Sequence, residues 1–286
     1  MKIGVVYPQT ELRGDPDAAR RIGLATEALG YDHLLAYDHV VGATHDREPK
    51  LWGPYTNHHP FHDPFVLFAY IAGMTSRIEL ATGVLILPQR QTVLVAKQCA
   101  DLDLLSGERL RLGVGVGWNY VEYDALGQDF AVRGPRADEQ MQFMRQLWSE
   151  PLVTFEGIYD HIDRGNILPR PTRQIPIWVG GFGGPAFRRG GRYGDGFIFA
   201  ANAEVGVTGL AAVHEQLAAA GRSRDGFGAD LVMLRARSVD ESLSTIEAWE
   251  AAGGTHASVV SMGMGLDSTE AHLDFLAQVS SRLGRS

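Results

Sequence analysis

From one end of the chain to the other, short apolar segments alternate with amphipathic ones, and this alternation constrains the fold more than any single motif. The strands are read at Lys2–Tyr7, His33–Tyr37, Ile78–Leu87, Leu110–Val116, Ile177–Val179, Gly196–Ala200, Ala229–Arg235 and Ala257–Ser261. A helical pattern follows each of them: 15–29, 63–74, 92–105, 119–148, 186–193, 205–220, 240–252 and 268–283. In the first helix Ala18, Ile22, Ala25 and Leu29 share a face, and Asp63-Pro64 reads as an N-cap followed by proline at the first helical position. Strands this apolar, each followed by a helix, call for a parallel sheet covered on both faces. Eight such units in 286 residues suit an α/β fold of the (β/α)8 TIM-barrel type, typically about 250 residues long. An open doubly wound sheet is the alternative. The segment 151–175 breaks the rhythm with an alternating pattern around Gly157 and reads as a hairpin insertion. No linker divides 1–286, so a single domain is expected, with long βα connections at 39–62 and 117–134 on the active face.

Composition narrows the function. Net charge is −8 with no long basic run, which speaks against a nucleic-acid groove. Cys99 is the only cysteine; it sits on an apolar helix stripe and suits a reducing cytoplasm. No apolar run of about 18 residues marks a membrane span, and no Gly-x-Ser-x-Gly elbow or Walker loop is present. The expected partner is a small molecule.

Several clusters are placed for chemistry. Asp38-His39 follows the second strand, on the rim where barrel enzymes work; histidine exchanges a proton near neutral pH, and an adjacent carboxylate can raise its pKa. His58, His59, His62 and Asp63 resemble a metal set. They lie in a loop, however, and Asp63 is better used as an N-cap, so no metal is expected. Those histidines fit a substrate mouth instead, with Trp52, Tyr55, Phe61 and Trp118. Gly83 interrupts the third strand, as at a bulge or a close backbone approach. Gly113, Gly115 and Gly117 strip one face at the end of the fourth strand, which suits either a flat ligand or crowding inside a barrel; Asn119 follows at the rim. Pro176-Ile-Trp-Val-Gly-Gly-Phe-Gly-Gly-Pro185 reads as a strand running into a glycine-rich turn and a basic helix. Glycines there let the backbone approach a ligand closely, and the free N–H groups of the helix start can hold a phosphate. Arg90, Arg133 and Arg136 in predicted rim loops, with Arg188, Arg189 and Arg192, would add positive charge for an anionic ligand.

These pieces together resemble the luciferase-like flavin and deazaflavin oxidoreductases. The resemblance is carried by Leu87-Pro88 with Arg90, Ala96-Lys97-Gln98, Leu102–Arg109, Gly113–Trp118 with Glu122, Leu126-Gly127, Arg133-Gly134, Glu139, Pro176–Gly181, Arg188-Arg189 and Gly194-Asp195-Gly196. It covers the chain to about residue 200. Within the family the chain looks most like the branch using coenzyme F420, which has a histidine where His39 stands. The resemblance implies a ring resting on a bulge with a non-prolyl cis peptide, at Gly83-Val84, and a phosphate on Gly180, Gly181, Gly183 and Gly184. It also implies hydride transfer at the deazaflavin C5, His39 moving a proton with Asp38 orienting it. A homodimer is carried over from the family. Three alternatives stand beside this: an FMN-dependent monooxygenase on the same fold, a non-catalytic cofactor-binding barrel, and a metal hydrolase using His39, His58, His59 and His62.

Overall fold

The computed structural model describes residues 1–285. Its elements in chain order are β1 (Lys2–Val6), α1 (Pro16–Ala28), β2 (His33–Ala36), α2 (Pro64–Ala72), β3 (Glu79–Thr82), β4 (Leu85–Ile86), α3 (Thr92–Ser106), β5 (Leu110–Gly115) and α4 (Tyr120–Ala125). Then come α5 (Arg133–Ser149), β6 (Val153–Glu156), β7 (His161–Gly165), β8 (Ile177–Gly180), α6 (Gly184–Tyr193) and β9 (Gly196–Ala201). The chain finishes with α7 (Ala203–Ala219), β10 (Gly228–Met233), α8 (Val239–Ala251), β11 (His256–Val259) and α9 (Thr269–Arg282). In spatial order β3-β2-β1-β11-β10-β9-β8-β5 are hydrogen-bonded neighbours, and β3 pairs with β5 to close the ring. All these pairings are parallel. The fold is therefore the closed eight-stranded (β/α)8 barrel, and the open sheet is excluded.

Local chemistry explains the element ends. Asp15 caps α1 and Asp63 caps α2, each with proline just inside the helix. Gly107, at φ +74°, ends α3 in the left-handed conformation that glycine adopts at no steric cost. Two expectations need correction. The third strand is not continuous over 78–87: it stops at Thr82, and β4 resumes the line by pairing Leu85 with Val114 and Ile86 with Gly115. The helical stretch 119–148 does not break at Gly134-Pro135. It breaks between Leu126 and Val132, and Pro135 lies in the first turn of α5, where it has no intrahelical N–H to lose. The hairpin β6–β7 is antiparallel and separate from the barrel. Its tip is tied to α5 by Glu139, whose carboxylate accepts from the N–H groups of Ile158, Tyr159 and Asp160. Among the described residues no helix is long and apolar enough to cross a membrane.

The barrel interior is layered. Near the N-terminal ends of the strands, Arg111 bonds Glu79 through Nε at 2.6 Å and Asp230 through Nη1 at 2.9 Å. His33 Nε2 lies 2.8 Å from Ser258 Oγ, which donates to Asp230 at 3.0 Å. Arg111 also stacks over Trp178, its Cζ 4.3 Å from the ring centroid. Glycine makes the room: a Cβ on Gly4 would strike the His33 ring, and one on Gly228 would strike Trp178. Burial alone would raise the Asp230 carboxyl, but His33 and Arg111 outweigh it and hold it well below the usual carboxylate range. Above this charged layer Val6, Leu35, Ala81, Ile198, Val232 and Val260 form an apolar plug. Whatever the C-terminal mouth does rests on that plug.

Candidate active site

The mouth is built from the segments that leave the strands. Directly after β2, the Asp38 carboxylate accepts from Ile86 N at 2.9 Å and from Arg90 through Nη2 at 2.7 Å and Nε at 3.3 Å. The same Nη2 lies 2.9 Å from Asp63 Oδ2. Asp38 thus stitches the end of β2 to β4 and to the start of α2. Burial raises its carboxyl above the ordinary value, against the pull of Arg90. It makes no hydrogen bond to His39, contrary to the expectation that it orients that ring.

The partner of His39 is Glu122, from the first turn of α4. Its Oε1 lies 3.1 Å from His39 Nδ1 and accepts from Val40 N at 2.9 Å and Val41 N at 3.1 Å. Asn119 completes the attachment: its Nδ2 donates to Val41 O at 3.1 Å, and its Oδ1 accepts from Val121 N as the cap of α4. The Asn119 amide, expected to hold cofactor, therefore has both ends engaged within the protein.

Aromatic rings cover His39. Phe61, Tyr55 and Trp118 lie 4.8, 5.2 and 5.5 Å away between centroids. His59 packs on Tyr55 at 5.7 Å, and its Nδ1 accepts from Thr56 N. His58 is exposed, and so is Trp52, whose ring lies under Lys50 Nζ at 4.0 Å. Of the residues expected at the mouth, Tyr55, Phe61 and Trp118 surround His39, while Trp52 and His58 face solvent. Among the described residues, no group of three or more His, Cys, Asp or Glu side chains could hold a metal ion.

The peptide between Gly83 and Val84 is cis. The glycine-rich strand ends prove to be filled rather than bare. A Cβ on Gly115 would come within 2.4 Å of Val84 Cγ2, and one on Gly180 within 2.6 Å of Val84 Cγ1. Gly113 is closed by the Thr82 carbonyl and Gly117 by Ile86. Crowding explains those glycines. Gly115 and Gly117, expected to touch a cofactor, lie against Val84 and Ile86, and Val84 is half-buried. Beyond β8, Gly181 has φ +144° and Gly183 φ +76°, conformations that exclude most side chains. Gly183 faces open space, and α6 starts at Gly184, before the expected Ala186.

Of the six arginines expected to gather toward an anion, Arg90, Arg133 and Arg189 are engaged within the protein, while Arg136 keeps a buried, unpartnered Nε. Arg90 holds Asp38 and Asp63. Arg133, on α5 rather than in a loop, donates to Phe130 O, and Arg189 bonds Asp138 and Gly134 O. Buried polar atoms without a partner also include Gln9 Oε1, Tyr37 Oη, His62 Nε2, both side-chain polar atoms of Gln89, and Arg133 Nε. Burial raises Tyr37 well above its ordinary value and Tyr55 to about 12, so both phenols keep their protons. Sequence reasoning left Gln9, Tyr37 and Gln89 unnoticed and gave Glu122, the partner of His39, no role at the rim. The signal for Glu122 was an acidic residue in the first turn of a rim helix, three positions after a cap asparagine.

Comparison with known proteins completes the assignment. An uncharacterised protein of Mycobacterium tuberculosis is 35% identical over 179 residues, 61% of this chain and 62% of that one. The F420-dependent glucose-6-phosphate dehydrogenase of Kineococcus radiotolerans is 33% identical over 230 residues, 78% of this chain and 64% of the relative. The chain thus spans less than two thirds of the length of these curated relatives. An F420-dependent secondary alcohol dehydrogenase, solved with an F420–acetone adduct, superposes with TM-score 0.80 at 18% identity over 97% of both chains. The FMN-bound type II Baeyer–Villiger monooxygenase of Pseudomonas putida gives 0.74 at 15% identity over 98% of this chain and 97% of that one; both likenesses speak for the fold. The family profile described as luciferase-like monooxygenase matches residues 1–284, and the chain belongs to that family.

Proposed function

We propose that this protein is an F420-dependent oxidoreductase that moves a hydride between the deazaflavin C5 and a small, partly apolar organic substrate. The observation that carries the reading is a rim histidine, His39, pinned through Nδ1 to Glu122, without a hydrogen bond at Nε2, and ringed by Tyr55, Phe61 and Trp118. The identity to an F420-dependent dehydrogenase supports the choice of cofactor.

The residues present fit such a group. Val84 offers a half-buried surface seated on Gly115 and Gly180, and a Cβ on Gly83 would strike Leu35. Unpartnered Gln9 Oε1, Tyr37 Oη and Gln89 amide atoms await hydrogen bonds at the same end of the barrel. Gly181, Gly183 and Gly184 lead into α6, where the Gly184 N–H is the one offered to a phosphate, since Pro185 has none and those of Ala186 and Phe187 bond Gly183 O. When bound, F420 supplies the hydride chemistry at C5. His39 Nε2 would take the substrate hydroxyl proton in oxidation and return it in reduction. Asp38 holds Arg90 and the β4 backbone, and so fixes the rim on which His39 stands. The aromatic cover favours an apolar substrate body and excludes water. Arg90, already paired with two carboxylates, has little to offer a substrate phosphate.

Separate titrations with F420 and FMN test the reading. F420 fluorescence should be quenched with saturation, with no matching binding of FMN, and apolar secondary alcohols should support hydride transfer. Binding of FMN alone would make the chain a monooxygenase. His39→Ala should lower the hydride-transfer rate about 10²–10⁴-fold with F420 still bound; an unchanged rate removes the proton role.

A further inference from the structure

We infer that Glu122 is a positioning residue that sets the tautomer of His39, placing the proton on Nδ1 and leaving Nε2 as a bare acceptor. The inference rests on the reading of His39 as the proton carrier, but its geometry stands apart from any cofactor. Glu122 Oε1 receives two backbone N–H groups, Val40 N at 2.9 Å and Val41 N at 3.1 Å. An oxygen with two amide hydrogens aimed at it can only accept. Its third neighbour, His39 Nδ1 at 3.1 Å, must therefore carry the hydrogen. In a neutral imidazole the other nitrogen is then unprotonated.

The ring has little freedom to change this. The segment 39–41 is attached to α4 at four points: His39 Nδ1, Val40 N and Val41 N on Glu122, and Val41 O on Asn119 Nδ2. The Glu122 side chain is 2% exposed, so water does not readily replace it as the acceptor. Nε2 lies across the ring from Nδ1 and so points away from Glu122; it makes no hydrogen bond among the described residues. The consequence for the proposed chemistry is directional. A bare Nε2 can accept a hydroxyl proton at once, whereas the other tautomer would present a hydrogen and could only donate. A buried carboxylate behind a working histidine is a recurring way of fixing ring orientation, and here the carboxylate comes from a residue 83 positions further along the chain.

Long-range ¹H–¹⁵N NMR on the ligand-free chain labelled with ¹⁵N-histidine tests this, at a pH where the ring is neutral. His39 is assigned by the signals lost in His39→Gln. The expected wild-type pattern is a protonated Nδ1 and an unprotonated Nε2. Glu122→Gln should keep that pattern, because the two backbone N–H groups hold its amide oxygen where Oε1 was. Glu122→Leu removes the acceptor and should move the proton to Nε2 in most molecules. The signals of His33, buried at the other end of the barrel, report that the fold is intact. Wild-type His39 protonated at Nε2, or a folded Glu122→Leu still protonated at Nδ1, overturns the inference. If Glu122→Leu does not fold, wild type and Glu122→Gln decide the matter between them. F420 titration of the same sample separates the two readings. The expected tautomer without F420 binding removes the hydride-transfer reading and leaves the positioning intact. F420 binding with the wrong tautomer does the reverse.

Discussion

Inside the N-terminal end of the barrel, Arg111, Glu79, Asp230, His33 and Ser258 are bonded to one another across β2, β3, β5, β10 and β11. At the C-terminal end, Arg90, Asp38 and Asp63 are likewise paired, but the residues around them leave Gln9, Tyr37, His62 and Gln89 with unpartnered buried polar atoms. Only His33 Nδ1 and Arg111 Nη2 are left so in the lower cluster. Both regions hold charge in a protected interior, yet the first meets most of its hydrogen-bonding needs internally and the second leaves more of them open. Buried polar groups without partners cost about 1–3 kcal/mol each, so a fold retains them where a ligand repays the loss. On the proposed reading the lower cluster is a fastening and the upper one a receptacle, in keeping with the division of labour between the two faces of such barrels.

Four substitutions or titrations would break or sharpen this contrast. Asp230→Ala strips a buried partner from both Arg111 and His33 and should cost about 3–5 kcal/mol of stability by chemical denaturation; the folded fraction should bind F420 as the parent does. A loss of affinity without loss of stability would erase the distinction between the two ends. Arg90→Met leaves Asp38 buried with only the Ile86 N–H and should cost about 1.5–3 kcal/mol, and here F420 affinity should fall as well, because the rim beside His39 loses its anchor. Gly115→Ala forces a methyl into Val84 and should cost about 1–3 kcal/mol through overpacking. A raised Kd for F420 is the informative readout, since unchanged affinity would mean that Val84 is not the ligand's seat. The smallest effect is on pH dependence. Burial, then Arg111, depress the His256 ring to about 3, from an ordinary value of about 6.5. The unfolded chain takes up the proton that the native ring refuses. This contribution to stability is therefore whole above about pH 6.5 and declines as pH falls toward the folded value. His256→Asn should flatten the fall of the melting midpoint across that window while leaving ligand binding unchanged.

The barrel was legible because burial on both faces writes itself into eight consecutive apolar runs, and because Asp63-Pro64 and Gly107 mark helix ends through local chemistry. The interruption at Gly83 was legible for the same reason, as was the position of His39 on the rim. What could not be read was pairing at long range. The glycines 113, 115 and 117 admitted two explanations until Val84 and Ile86 were seen lying over them. Arg90 looked available for an anion until Asp38, 52 positions earlier in the chain, claimed it. The choice of Glu122 over Asp38 as the partner of His39 follows from the start of α4 packing beside the end of β2, which adjacency in sequence cannot show. Gly134-Pro135 misled because proline ends helices in their interior but is harmless in a first turn.

Val84 rests on bare backbone contributed by β5 and β8 and on the tightly packed apolar plug. A molecule lying on it meets the stiffness of two hydrogen-bonded strands. On the proposed reading, discrimination among ligands falls to the covering stretch 41–62, whose Tyr55 and Phe61 pack beside His39 on the plug rather than within the strands. Retuning this protein toward a new substrate should begin with those two rings and leave Gly115 and Gly180 untouched.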